Sequence, residues 1–259
     1  MYFKTTTLKI ALAFLLPWML ISGTFGQTTD AQALDTGNGS DLIPYQVFRP
    51  EVETNSHVIV LLPDLSGLDQ PTLELAEQLS SLGYPVIVPD FEAALRGQRA
   101  TNARLAQVPS TEINMMIEGL LASVASEKGE SGKLVLMGTG WGATQAFELA
   151  TRSRLPELLI LFDGKGPKLA AYCSRITAPV YGFYGGLNSG IRGEIAHLNR
   201  YMLASNKIFV PVIYEEAEQG FILGDRNADS RINNQFARSK ALEQVATILV
   251  NSQAPTAMR

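Results

Sequence analysis

The stretch Leu134-Val135-Leu136-Met137-Gly138-Thr139-Gly140-Trp141-Gly142-Ala143 decides the fold. Its first four residues are an unbroken apolar run, the pattern of a strand buried on both faces. Glycines then bracket a turn, and from Trp141 onward apolar residues return at helical spacing. Strand, sharp turn and helix in direct succession are the context of a nucleophile elbow, which lifts one residue above the carboxyl end of a sheet. At the centre of this turn, where Ser or Cys would stand, the chain has Gly140, which has no side chain.

Outward from the elbow, short apolar runs alternate with helical patterns. Strands are predicted over 45–48, 58–62, 86–88, 158–162, 180–184 and 209–214, with 134–137 among them. Helices are predicted over 70–82, 111–127, 141–151, 190–204 and 232–251. The clearest is 111–127, where Ile113, Met116, Ile117, Leu120, Leu121 and Val124 share one face and Ser110 or Thr111 caps the start. Continuous strands separated by helices imply an α/β fold, one doubly wound domain with a mostly parallel sheet over 41–254.

Before it, Lys4 and Lys9 lead into an uncharged apolar run over 10–21 and then the small residues Ser22, Gly23 and Thr24. That is the order of a secretory signal peptide over 1–26, with the mature start near Gln27 and a second cleavage candidate at Ala31-Gln32-Ala33. The run is too short for a membrane span, which needs about 20 apolar residues, and no Cys follows it as a lipid anchor. Secretion or a periplasmic location is expected, with no membrane span after cleavage and a flexible linker over 27–40. Cys173 is the sole cysteine, so no intramolecular disulfide can form. The net charge of -4 comes from scattered residues, which excludes a nucleic-acid footprint.

Several segments in order carry a resemblance: 58–68, Gly83-Tyr84-Pro85-Val86 through Pro89-Asp90, the elbow, Ala178-Pro179-Val180 through Tyr184-Gly185-Gly186, and Tyr214 through Gly220-Phe221. Over 43–250 the chain resembles the dienelactone hydrolase family, which implies the α/β-hydrolase fold and carboxylic ester or lactone hydrolysis. The resemblance places the family's acid in the turn Gly185-Gly186-Leu187-Asn188, where Asn188 replaces the carboxylate. It places the general base just before Gly220-Phe221, where Gln219 replaces the histidine. A neutral amide can orient by hydrogen bonds but cannot accept a proton near pH 7. With Gly140, Asn188 and Gln219 at its places, no catalytic triad position is intact; nucleophile or base loss in a serine-type triad costs about a millionfold in turnover, so efficient ester hydrolysis by the family mechanism is not expected. The resemblance also implies that Asp64 stands for a gating glutamate and that the Leu65 and Trp141 amides are the oxyanion donors.

Substitutes are few. His57 opens a strand at its amino end, and His197 sits in a helix beside Leu198, so neither is placed as a base. Ser66 is the one nearby hydroxyl that could serve as a substitute nucleophile, but it lacks a His partner, and completing a turn is the better account of it. Asp225-Arg226-Asn227-Ala228-Asp229 begins like a calcium loop but has Ser230 in place of the turn glycine and Phe236 in place of the closing Glu. Asp64, Asp90 and Glu92 follow strand ends without His or Cys, so no metal and no organic cofactor are expected. Three readings follow: a non-catalytic binder of a small carbonyl or carboxylate ligand, an ester or lactone hydrolase with a rewired site, and a structural or interaction module. Oligomeric state is not encoded in any of these features.

Overall fold

The strand at the elbow runs Leu134–Thr139 (β5) and is buried along its whole length. In the computed structural model, which describes residues 30–34, 43–52, 57–95, 105–128, 133–167, 169–224 and 231–252, β5 lies in the middle of an eight-stranded sheet ordered β1-β2-β4-β3-β5-β6-β7-β8. The other strands are Asp30–Leu34 (β1), Ile43–Phe48 (β2), Val58–Leu62 (β3), Val86–Pro89 (β4), Leu158–Phe162 (β6), Val180–Gly185 (β7) and Phe209–Tyr214 (β8). From β4 to β8 all pairings are parallel, while β1 and β2 pair antiparallel at one edge.

Alternation along β5 divides the core. Leu134 and Leu136 face a cluster built on helices Ser110–Lys128 (α3), Gly140–Ala150 (α4) and Ile191–Ala204 (α6). Val135 and Met137 face a second cluster built on Gln70–Ser81 (α1) and Arg231–Ser252 (α7). Both faces are covered, which is why the strands carry unbroken apolar runs. Short helices Phe91–Ala94 (α2) and Ala170–Cys173 (α5) and a 3-10 turn Phe221–Leu223 complete the order. Local chemistry sets the starts: the Asp69 carboxylate accepts the Thr72 N–H at 3.1 Å to cap α1, and Asp90 accepts the Ala93 N–H at 2.8 Å to cap α2.

Strand β1 lies within 27–40, where low apolar content predicts a linker. An edge strand is held by main-chain bonds to a single neighbour, and Asp30 to Leu34 pair with Val47 to Ile43 without needing an apolar run. The proposed signal segment lies outside the described residues, as do the calcium-like residues 225–230.

Candidate functional site

Parallel strands bring their following loops to one end of the sheet, and the crevice lies there. After β5 the chain turns at Gly140 with φ +50°, a left-handed conformation that disfavours side chains. Two residues on, Gly142 packs against the Leu62 and Pro63 carbonyls so closely that any Cβ would collide with them. That contact seats helix α4 over the end of β3. It also brings Gly140 against the loop that follows β3.

Asp64 in that loop fills the space a residue-140 side chain would enter. A Cβ built on Gly140 would lie 2.5 to 2.8 Å from the three carboxyl atoms of Asp64. The same carboxylate accepts the Trp141 N–H at 2.9 Å. The amide expected as an oxyanion donor is therefore already engaged by an anion. The Trp141 ring is half-buried and meets Phe91 edge-on, with centroids 5.7 Å apart, so much of it serves packing. Leu65 is also half-buried against the core.

Ser66 sits in the turn closed by the Gly67 N–H donating to the Asp64 carbonyl at 2.9 Å. Its hydroxyl is buried with no hydrogen-bond partner among the described residues, so no imidazole is in place to activate it. His57 is buried at the amino end of β3, where its Nδ1 accepts the Lys133 N–H at 3.3 Å. His197 is exposed on α6 beside Tyr201, with ring centroids 6.5 Å apart. Asp64, Asp90 and Glu92 divide between the elbow, the α2 cap and the neighbourhood of Gly67. Among the described residues no cluster of three His, Cys, Asp or Glu side chains could hold a metal ion.

Asn188 and Gln219 come together. The Asn188 Nδ2 donates to the Gln219 Oε1 at 3.3 Å, an amide pair between the turns after β7 and β8. Backbone bonds lace these turns, with the Gly186 N–H on the Tyr214 carbonyl at 2.8 Å and the Leu187 N–H on the Ala217 carbonyl at 3.0 Å. Arg192 and Glu215 add an exposed ion pair.

One residue that the sequence does not single out holds the arrangement. Asp163, buried just beyond β6 with φ +55°, accepts the Gly185 N–H at 2.9 Å on one oxygen and the Gly220 N–H at 2.7 Å on the other. It thereby ties the turn bearing Asn188 to the turn bearing Gln219. Its place at a strand's carboxyl end was the one available signal. Beside it, the Tyr184 hydroxyl is pushed well above its ordinary pKa by burial, then by the charges of Asp163 and Glu194.

The chain is similar to known proteins over most of its length. A curated relative from Escherichia coli O157:H7, named "Putative carboxymethylenebutenolidase", is 22% identical over 210 residues, covering 74% of this chain and 76% of the relative. Among solved structures, a dienelactone hydrolase-like promiscuous phosphotriesterase from metagenomic libraries superposes with a TM-score of 0.68 at 15% identity, covering 87% of this chain and 98% of its own. The dienelactone hydrolase from Anabaena variabilis gives 0.59 at 16% identity, with 84% and 98% covered. At such identities the structures establish a shared fold. The dienelactone hydrolase family model matches residues 44–252, nearly the full described domain, and the chain belongs to that family.

Proposed function

We propose that this chain is an exported, non-hydrolytic member of its family, in which Asp64 closes the elbow. The observation that carries the reading is the Asp64 carboxylate, which occupies the place of a nucleophile's first side-chain atom and engages the Trp141 amide. Tetrahedral intermediates of ester hydrolysis need free donors where negative charge develops. A carboxylate already bound there supplies repulsion instead. The Asn188–Gln219 pair keeps the contact between the acid and base positions but has no group that takes a proton near neutral pH.

Of the ligands expected from sequence, a carboxylate would face the charge of Asp64. A ligand bearing hydrogen-bond donors suits this crevice better. Export rests on the Lys4, Lys9 and 10–21 pattern, and mass measurement of the processed amino terminus tests it, with a start near Gln27 expected.

The rival is a rewired hydrolase, favoured by the position of the Asp64 carboxylate at the elbow. Hydrolysis of activated aryl esters and simple lactones, compared across the unmodified chain, Ser66→Ala and Asp64→Asn, decides between them. Rates equal to buffer in all three support the non-hydrolytic reading. Turnover lost in Asp64→Asn or in Ser66→Ala establishes a rewired enzyme.

A further inference from the structure

Outside the crevice, helices α4, α5 and α6 leave a groove of about 910 Å³. Its floor is the segment after β6. There the Lys165 N–H donates to the Thr144 hydroxyl at 3.0 Å, and that hydroxyl donates to the Gly140 carbonyl at 3.1 Å. Gly166 lies against Leu198 of α6, where a Cβ would come within 2.7 Å of the leucine methyls. The floor is thus fixed both to the elbow helix and to α6.

The charges lining this groove do not balance. Glu148, in the last turn of α4, and Arg152, just beyond its end, form an ion pair at 3.1 Å. Lys165 and Arg175 remain, neither of them in an ion pair among the described residues, and the other acidic side chain of the lining is Glu194. Arg152, Lys165 and Arg175 against Glu148 and Glu194 leave the lining with one more positive than negative side chain, whereas the whole chain carries a net charge of -4. Aromatic faces line the same groove: the Arg175 guanidinium lies 5.4 Å from the Tyr172 ring centroid, and the Tyr201 ring lies beside His197.

We propose that the groove binds a small planar organic anion, with Lys165 and Arg175 on its charge and Tyr172 and Tyr201 against its ring. The volume falls within the roughly 300–1,000 Å³ of small-molecule sites. Cations beside π-faces recognise an aryl carboxylate or aryl phosphate through one shared chemistry: charge-assisted hydrogen bonds to the anion and ring contact to its body. This site is separate from the Asp64 elbow and does not depend on the elbow being inactive.

The two histidines of the sequence provide the readout, because His197 lines the groove and His57 lies buried at the amino end of β3. Benzoate, phenyl phosphate and neutral benzamide are titrated into the purified chain at constant pH and ionic strength while both imidazoles are followed by NMR. A saturable shift of His197 with either anion, a still His57 and no response to benzamide are expected. The tighter of the two anions assigns the ligand to the carboxylate or the phosphate class. The paired variant Lys165→Glu with Arg175→Glu should weaken binding by about tenfold or more, the loss of at least one charge-assisted contact. No saturable shift with either anion, an equal response to benzamide, or unchanged affinity in the paired variant overturns the proposal. Should that variant fail to fold, the benzoate-against-benzamide comparison on the unmodified chain decides alone.

Discussion

A side chain at position 140 meets two obstacles, a left-handed backbone and the Asp64 carboxylate. Gly140→Cys is therefore expected to lower stability by about 1–3 kcal/mol from backbone strain and displacement of that carboxylate. Only the steric part involves Asp64. In an Asp64→Ala background the same substitution should cost measurably less, and urea unfolding of the four chains gives the coupling; strictly additive costs would remove the claimed contact. Gly140→Cys alone should also leave aryl-ester hydrolysis at the buffer rate, because Gln219 cannot generate a thiolate. Tyr184 offers a second test at this scale. Its hydroxyl is buried without a hydrogen-bond partner among the described residues, and burial raises its pKa, so the folded state holds the proton after the unfolded chain has begun to lose it near pH 10. The stability contribution is then complete below about pH 10 and falls as pH rises toward the folded value. Tyr184→Phe should match or exceed the parent at pH 7, by up to about 1 kcal/mol, and lose less stability between pH 10 and 12. Tyr214, pushed up to about 12 mainly by burial, keeps a residual slope in the variant. A Tyr184→Phe chain with an unchanged alkaline slope would count against this account.

At the scale of elements, the turns after β7 and β8 are held as one unit by Asp163. An Asp163→Asn side chain has one oxygen and one amide group, so either Gly185 or Gly220 would point its N–H at another donor. Leaving a buried donor unmatched costs about 1–3 kcal/mol. Hydrogen exchange should show faster exchange at one of these two glycine amides and little change in β5; equal protection of both in the variant would mean the carboxylate is not the tie. Most elements themselves were legible in the sequence. Strands 58–62, 158–162 and 209–214 are observed over the same residues because each is a short apolar run flanked by turn residues. Helix α4 starts one residue before its predicted start, at the glycine of the elbow itself. The positions of Asn188 and Gln219 could be read because glycines mark both turns. Asp163 could not, since a lone carboxylate after a strand has no motif and its two partners are backbone amides 22 and 57 residues away. Nor could the plugging of the elbow, because the distance between Asp64 and residue 140 is fixed only when α4 packs over the end of β3.

For the whole molecule, the least legible part is the sheet edge. Apolar periodicity reports core facing, and β1 at Asp30–Leu34 contributes main-chain pairing at an edge, where the sequence DAQAL has little apolar signal. This strand also separates the two candidate cleavage sites. Processing near Gln27 retains β1, whereas cleavage after Ala33 removes four of its five residues and leaves β2 with an unpaired side. Strand β2 carries Ile43, Tyr45, Val47 and Phe48 in buried positions, so an uncovered β2 presents open backbone groups beside a strongly apolar strand. Such edges recruit other chains. A chain beginning at Asp41 should therefore still fold, since the clusters around β5 are untouched. It should melt a few degrees lower, as about 1 kcal/mol shifts a domain of 150–250 residues by roughly 2–4 °C, and it should self-associate at concentrations where the chain beginning at Gln27 does not. Thermal melting with light scattering of the two chains side by side checks both effects. Identical melting and identical mass in solution would show that β1 neither stabilises the sheet nor protects its edge, and the two cleavage sites would then be equivalent for the fold.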